Sequence, residues 1–426
     1  MPQFKALDYQ RQIYLEGFTG KKPKVSPNWE KLEQAAIAKM NPYAASYIVG
    51  GAGNQQTILN NRTGFERYRI VPKMLQNVEN RDTSTAILGV KLPSPFWLCP
   101  IGVAEMVHAA ADLATARAAA ATGIPMVFSN QASIPMETCA AAMGESPHFF
   151  QLYWSKSRDL VASLVKRAEA CGSKGIVLTL DTTLLGWRTR DLDLAFLPFL
   201  QGKGIAQYTS DPVFQKLIDA ALKQPPTNDF KPKITFETLK NLITAVNRYP
   251  STDGFFTKLR SGRPMAAVKL FTSIYNNPAL TWEDLSFLRA QTTLPIFLKG
   301  ILHPENAKKA VDYGINGIVV SNHGGRQVDG SIGAIEALPD VVKAVAGKIP
   351  IVLDSGIRGG ADVFKALALG ATAVGLGRPY LYGLTLDGEQ GVKDVIHHLM
   401  ADFELTMSLA GCRNIAEITS ETLIKV

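Results

Sequence analysis

Residues 349–378, IPIVLDSGIRGGADVFKALALGATAVGLGR, decide the fold of this chain because they contain one complete β–α–β unit. An apolar run from Ile349 to Asp354 ends in polar residues, and the amphipathic stretch Ala361 to Leu369 follows it. A second apolar run extends from Ala373 to Arg378. Short apolar strands that alternate with helices are typical of a parallel sheet covered by helices. The segment therefore predicts an α/β fold.

The same alternation extends back along the chain to residue 96. The eight apolar runs are Phe96 to Pro100, Pro125 to Ser129, His148 to Tyr153, Gly175 to Asp181, Leu294 to Lys299, Gly317 to Asn322, Ile349 to Asp354 and Ala373 to Arg378. Eight strands buried on both faces favour a closed (β/α)8 TIM barrel over an open, doubly wound sheet. The carboxyl ends of barrel strands meet at one mouth, where barrel enzymes carry their chemistry. We therefore expect the polar residues that end these runs to form the functional site.

Two segments lie outside the repeat. Residues 1–95 have a helical pattern and predict an N-terminal helical cap that leads into a barrel of residues 96–426. Residues 191–280 follow the fourth strand and are far longer than an ordinary loop between a strand and a helix. This insertion keeps many apolar residues, which favours a folded lid over a disordered linker.

Composition excludes several classes of protein. The chain has 426 residues, 46% hydrophobic and 19% charged, which is typical of a globular protein. Its formal charge of +8 comes from basic residues mixed with acidic ones, so we expect anionic small ligands and no nucleic acid. No apolar run reaches the roughly 18 residues that span a bilayer, and no signal-peptide pattern is present, so we expect a cytoplasmic protein without membrane attachment. The scattered cysteines Cys99, Cys139, Cys171 and Cys412 predict reduced, mostly buried thiols and no metal site.

Two glycine-rich loops follow the seventh and eighth strands. Residues 354–360 read DSGIRGG, and residues 375–379 read GLGRP. Glycines let backbone N–H groups approach a phosphate, and Arg358 and Arg378 can add charge-assisted hydrogen bonds. Either loop alone could be a tight turn with a surface arginine. Two of them on successive strands, at the recurrent phosphate site of barrels, favour a phosphate that belongs to a substrate or a cofactor.

The sixth run is followed by His323 and Arg326. Imidazole can accept a substrate proton at neutral pH, and a guanidinium grips a carboxylate with two parallel hydrogen bonds. A lone histidine is more often a satisfied structural residue. The position of His323 at a strand end, among other polar strand ends, favours the catalytic interpretation.

Five strings together resemble the family of FMN-dependent L-2-hydroxy acid oxidases and dehydrogenases. They are SNHGGRQ at 321–327, FQLY at 150–153, LTLDT at 178–182, FLKG at 297–300 and DSGIR at 354–358. The resemblance extends from about Asp8 to the end of the chain. The family includes glycolate oxidase, lactate oxidase and lactate 2-monooxygenase.

The resemblance implies FMN as the cofactor and, residue by residue, its binding site. The flavin would lie along Pro100, Ile101 and Gly102. Its polar edge would be bonded by Ser129, Gln151 and Thr179, with Lys299 near N1. The site towards the ribityl chain and phosphate would be completed by Ser321, Asp354, Ser355, Gly356, Arg358, Gly377 and Arg378. For Lys299, a Schiff-base lysine of the aldolase type is the rival interpretation.

The resemblance also implies the residues that act on the substrate. Arg326 and Tyr47 would hold the substrate carboxylate, and Tyr153 would bond the 2-hydroxyl. His323 would be the base, and Asp181 would orient it. Arg188, at the start of the insertion, would also contact the carboxylate. Without the motifs around them, Tyr47 and Tyr153 would be assigned to core packing. The family also implies assembly as a homotetramer or homo-octamer.

Three positions depart from the common family pattern. Gln131 stands where oxidases often have Trp or Tyr, Gly359 replaces a frequent arginine, and Gly102 replaces a frequent alanine. The string CPIGV at 99–103, which contains Gly102, and the segments 186–192 and 209–216 together resemble lactate 2-monooxygenase most closely. That enzyme converts L-lactate and O2 into acetate, CO2 and water. The alternatives are a hydroxy acid oxidase that releases the 2-keto acid and H2O2, an FMN barrel isomerase, a Schiff-base aldolase and a non-catalytic barrel.

Overall fold

A closed barrel of eight parallel strands forms the centre of the computed structural model, which describes residues 4–223 and 235–426. The barrel strands are β1 (Phe96–Leu98), β2 (Met126–Phe128), β3 (His148–Leu152), β4 (Ile176–Thr179), β5 (Ile296–Ile301), β6 (Gly317–Val320), β7 (Ile351–Leu353) and β8 (Ala373–Leu376). Each strand pairs with its neighbours in chain order, and β8 closes the ring by pairing with β1. The predicted (β/α)8 barrel and all eight predicted strands are confirmed.

Helices surround the barrel in the order that a β/α repeat requires. Those outside the insertion after β4 are Ala111–Thr122, Met136–Met143, Arg158–Ala170, Asp284–Gln291, Pro304–Asp312, Ala334–Val345, Gly360–Ala368 and Arg378–Leu409. The last of these has non-helical backbone at Asp387 and Gly388. Short 3-10 helices lie at Ala104–Met106, Ile415–Glu417 and Ser420–Thr422.

Aromatic side chains fill the interior of the barrel. The rings of Trp97, Phe149 and Phe297 are mutual neighbours, with centroids 5.3 to 5.9 Å apart. A hairpin of Thr85–Ile87 and Val90–Leu92, just before β1, packs its buried apolar side chains into the same cluster. Because close-packed side chains occupy the interior, the barrel is a core and the open space lies at its carboxyl mouth.

The segment before the barrel is mostly helical. Its helices are Ala6–Phe18, Trp29–Lys39, Pro42–Val49 and Gln56–Glu66, and its strand Tyr68–Ile70 pairs antiparallel with Leu423–Lys425 near the end of the chain. The first two helices contact the long helix Arg378–Leu409, and the fourth contacts Ala334–Val345. The boundary at residue 95 between a cap and a barrel stays a prediction.

The insertion after β4 contains further helices in its described part. They are Thr189–Asp193, Pro198–Gln201, Ala206–Thr209, Pro212–Lys223, Phe236–Arg248, Phe255–Ser261 and Arg263–Ile274, and residues 224–234 lie outside the described residues. Rings of Phe199, Tyr208 and Phe271, all fully buried, pack together in this part of the chain. None of the described helices is long and apolar enough to cross a membrane.

Candidate active site

A cavity opens at the carboxyl ends of the strands. The predicted site residues that line it are Tyr47, Pro100, Ile101, Gly102, Tyr153, Arg188, Lys299, His323, Arg326, Asp354, Ser355, Gly356, Arg358, Gly377 and Arg378. The other five lie beside the cavity and are connected to its lining residues by the contacts described below. They are Ser129, Gln151, Thr179, Asp181 and Ser321. The structure therefore brings all predicted site residues together, whereas their individual roles stay predictions.

His323, which lines this cavity, forms a close pair with Asp181 beside it. The imidazole Nδ1 lies 2.7 Å from Asp181 Oδ1, so Nδ1 donates to the carboxylate and Nε2 is left to accept a proton. The hydroxyl of Thr182 also donates to Asp181 Oδ1, at 2.9 Å. His323 has a left-handed backbone, φ +58°, which costs a non-glycine residue free energy and is common at functional sites.

Burial and the carboxylate act in opposite directions on the imidazole. Burial lowers the pKa of His323 below its ordinary value, although Asp181 acts to raise it. Burial acts to raise the pKa of Asp181, but the charges of His323 and Lys299 outweigh it and hold that pKa well below the usual range. The pair at neutral pH is therefore a neutral imidazole and a carboxylate, which is the form that a general base requires.

Lys299 is a buried cation balanced by two carboxylates. Its Nζ lies 3.6 Å from Asp354 Oδ2 and 3.8 Å from Asp181 Oδ2, and it donates to Ser321 Oγ at 2.9 Å. Burial acts to lower the pKa of Lys299, yet these two carboxylates raise it above its ordinary value. Lys299 is therefore a fixed positive charge, whereas a Schiff-base lysine must be a neutral amine when it attacks.

A glycine makes this arrangement possible. Gly300 has φ +99°, and a Cβ at this position would lie 2.9 Å from Cβ of Asp181. Only glycine lets β5 pass this close to Asp181 without displacing it.

Ser129, Gln151 and Thr179 form a chain of side chains across three neighbouring strand ends. Ser129 Oγ donates to Gln151 Oε1 at 3.2 Å, and Gln151 Nε2 donates to Thr179 Oγ1 at 3.1 Å. Thr179 lies opposite Lys299 in the register of β4 and β5. The row offers donors and acceptors beside the cation, a pattern that fits the polar edge of a planar heterocycle.

Arginines surround the ring of Tyr47. Arg326 lies over it at 4.8 Å and Arg188 at 6.0 Å, and Arg326 Nη1 donates to the carbonyl oxygen of Gly50 at 3.0 Å and to that of Tyr47. Burial and the charge of Arg188 lower the pKa of Arg326 to about 9, so it stays charged at neutral pH. Neither arginine has an ion-pair partner among the described residues, and two such cations close together favour an anion between them.

A second pair of arginines lies in the loops after β7 and β8, where the sequence predicts a phosphate site. Arg378 donates to the carbonyl oxygens of Ile48, Gly324 and Gly50 at 2.9, 2.9 and 3.1 Å. Arg358 Nε is buried and has no hydrogen-bond partner among the described residues, a cost that a bound anion would remove.

The cavity also contains residues that the sequence did not single out as site residues. Phe199 and Tyr275 come from the insertion, Cys99 precedes Pro100, and Thr182 follows Asp181. Thr182 had a signal because it lies within the string LTLDT, and Cys99 lies within the predicted run Phe96 to Pro100. No sequence spacing brings Phe199 and Tyr275 to the barrel mouth, because their position depends on how the insertion folds.

Comparison with known proteins agrees with this geometry. The family model described as FMN-dependent dehydrogenase matches residues 36–425. The chain is 40% identical to an L-lactate oxidase of Lysinibacillus sphaericus, over 92% of each chain, and 38% identical to the glycolate oxidase of Spinacia oleracea, over 92% of this chain and 94% of that one. A crystal structure of mandelate oxidase with (S)-4-hydroxymandelic acid has a TM-score of 0.76 at 32% identity and covers 94% of this chain and 98% of its own.

The chain belongs to the FMN-dependent dehydrogenase family. It is an FMN-dependent oxidoreductase of 2-hydroxy acids, and the predicted family and cofactor are confirmed.

The residues of the cavity fit FMN. The unpartnered Nε of Arg358 suits the phosphate, the row Ser129–Gln151–Thr179 suits the polar edge of the flavin, and Lys299 supplies a cation beside that row. Asp181 Oδ2 is buried without a hydrogen-bond partner among the described residues, although it lies 3.8 Å from Lys299 Nζ. The predicted assignment of these residues to FMN stays a prediction.

Replacement of His323 tests its predicted role as the base. His323→Ala should keep FMN but slow anaerobic flavin reduction by L-lactate by roughly 10² to 10⁴, the usual contribution of a positioned general base. Because burial lowers the pKa of His323, the neutral imidazole predominates above about pH 6.5, and the wild-type rate should fall only below that pH. Stopped-flow absorbance measures both effects. A near-wild-type rate in His323→Ala would remove this residue from the mechanism.

Replacement of Arg326 tests its predicted role in holding the substrate carboxylate. Arg326→Lys should weaken transition-state binding by about 1.5 to 3 kcal/mol, because lysine cannot reproduce a bidentate grip. The measurement is kcat/KM for L-lactate at equal flavin content. An unchanged kcat/KM would show that Arg326 does not hold the substrate.

Proposed function

We propose that this protein oxidises L-lactate and keeps the resulting pyruvate in the cavity, where it is decarboxylated oxidatively, as in a lactate 2-monooxygenase. The observation that carries the oxidation is the His323–Asp181 pair, 2.7 Å apart, in the same cavity as Arg326 and Lys299. That set provides a base, a carboxylate clamp and a fixed cation within one enclosed space.

The residues of the chain divide the work of the first step. Arg326 and Tyr47 hold the substrate carboxylate, and Tyr153, whose pKa burial raises to about 12, keeps its proton and can donate it in a hydrogen bond to the 2-hydroxyl oxygen. His323 Nε2 takes a proton from the substrate, and Asp181 stabilises the imidazolium that forms.

The cofactor and Lys299 share the electronic part of the reaction. FMN supplies, when bound, the two-electron oxidation of the 2-hydroxy acid to the 2-keto acid. Lys299, held charged by Asp354 and Asp181, would stabilise negative charge on the reduced cofactor.

The fate of oxygen depends on whether the keto acid leaves before peroxide forms. Arg188 can hold the pyruvate carboxylate, and Phe199 and Tyr275 of the insertion form the wall around it. Confinement of pyruvate and hydrogen peroxide in one cavity raises their effective concentration greatly. The products would then be acetate, CO2 and water, so that L-lactate and one O2 are consumed without release of peroxide.

A second candidate is the simple oxidase, which releases pyruvate and H2O2. It is favoured by the names of two relatives, the L-lactate oxidases of Lysinibacillus sphaericus and of a Nostoc species, at 40% and 37% identity. A cytoplasmic location and assembly as a homotetramer or homo-octamer belong to the proposal in both cases.

Product analysis separates the two candidates. Purified holoenzyme with L-lactate in air and added catalase should yield acetate in proportion to the O2 consumed, with little pyruvate, because confined peroxide reacts before catalase can reach it. Catalase is essential, since free peroxide also decarboxylates pyruvate in solution. Pyruvate as the main product under these conditions would contradict the monooxygenase and leave the oxidase.

A further inference from the structure

The loop from Ser129 to Met136, which follows β2, is held by hydrogen bonds from both the barrel and the insertion. It carries Ser129 of the polar row and Gln131, which lines the cavity. On one side the carboxylate of Asp112 accepts from the N–H groups of Ser133 and Ile134, at 2.8 and 3.2 Å. Asp112 thus fixes two N–H groups of the loop, and the N–H of Val103 donates to the carbonyl oxygen of Gln131 at 2.9 Å.

Gln207 of the insertion holds the loop on its other side. Its side chain is fully buried, and its Nε2 donates to the carbonyl oxygens of Ser129 and Ile134 at 3.3 and 3.4 Å. Its Oε1 accepts from the N–H of Met136 at 3.0 Å. One amide therefore joins the beginning, the middle and the end of the loop.

The insertion approaches the same loop as closely as its backbone allows. The N–H of Ala206 donates to the carbonyl of Ala132 at 3.2 Å. A Cβ on Gly204 would lie 3.0 Å from the carbonyl oxygen of Gln131, and a Cβ on Gly102 would lie 3.1 Å from it. The Gln131 carbonyl is therefore held between the loop after β1 and the insertion.

We propose that Gln207 is a positioning residue that sets the place of Ser129 and Gln131 beside the flavin and the substrate. Where Gln207 contacts the loop, the insertion is a fixed wall of the active site and does not move during the reaction. This inference rests on the proposed oxidation of the hydroxy acid and is independent of the fate of oxygen.

The first test removes the three hydrogen bonds at nearly constant volume. Gln207→Met should keep FMN but slow anaerobic flavin reduction at saturating L-lactate by about tenfold, because small displacements of positioning groups are costly. Amide hydrogen exchange in peptides that cover residues 129–136 should become faster in the same variant, with or without FMN. Thr209→Val is the matched control, since the Thr209 hydroxyl is in the same short helix and bonds only carbonyl oxygens of the insertion.

The second test uses the chemistry of the contact. In Gln207→Glu a protonated carboxyl can still donate a hydrogen bond to a carbonyl oxygen. An ionised carboxylate has no proton to donate, although it faces two carbonyl oxygens. Burial should raise the pKa of this carboxyl above its ordinary value of about 4.3. The ratio of the variant's reduction rate to that of wild type should therefore be close to one in acid and fall as the pH rises.

The outcomes decide the proposal in each case. Equal reduction rates and equal exchange in Gln207→Met and Thr209→Val would overturn it. If Gln207→Met does not fold, the Gln207→Glu series decides, and a rate ratio independent of pH would overturn the proposal. If L-lactate fails to reduce the wild-type flavin, the proposed function fails, and hydrogen exchange at 129–136 still reports on Gln207.

Discussion

The buried lysine Lys299 is the constraint on which the active site depends. A lysine this deep in the barrel would cost much free energy if it were unpaired. Its two carboxylates, Asp354 and Asp181, lie 3.6 and 3.8 Å away, and Asp181 also holds the imidazole of His323. Asp181, one of the two carboxylates that hold Lys299, therefore also fixes the tautomer of His323. In the proposed mechanism this one carboxylate acts on both the cation near the cofactor and the residue that accepts the substrate proton.

The barrel strands position the side chains of this network, and the insertion forms one wall of the cavity that contains them. Strands β4, β5 and β6 carry Asp181, Lys299 and His323 at or just after their carboxyl ends, so closing the barrel brings the three side chains together. Phe199 and Tyr275 reach the same cavity from the insertion. The chemistry thus depends on local strand geometry, whereas the enclosure depends on long-range packing.

This difference explains what the sequence could and could not predict. The eight strands follow from local apolar periodicity, and the strand-end residues follow from the strands, so both were predictable. The roles of Tyr47 and Tyr153 were predicted from family resemblance alone, because an isolated tyrosine in a sequence would be assigned to the hydrophobic core. The contacts of Phe199, Tyr275 and Gln207 were not predictable, because they depend on how irregular helices after β4 fold back over the mouth.

The most direct test of the central network is the pH dependence of anaerobic flavin reduction by L-lactate in Asp181→Asn, compared with wild type at equal FMN content. Asparagine keeps the shape but removes the charge that raises the pKa of His323 and stabilises its imidazolium. The plateau rate should fall by about 10² to 10⁴, and the acid limb should move to lower pH. An unchanged plateau and an unmoved acid limb would contradict the claim that Asp181 links the buried lysine to the base.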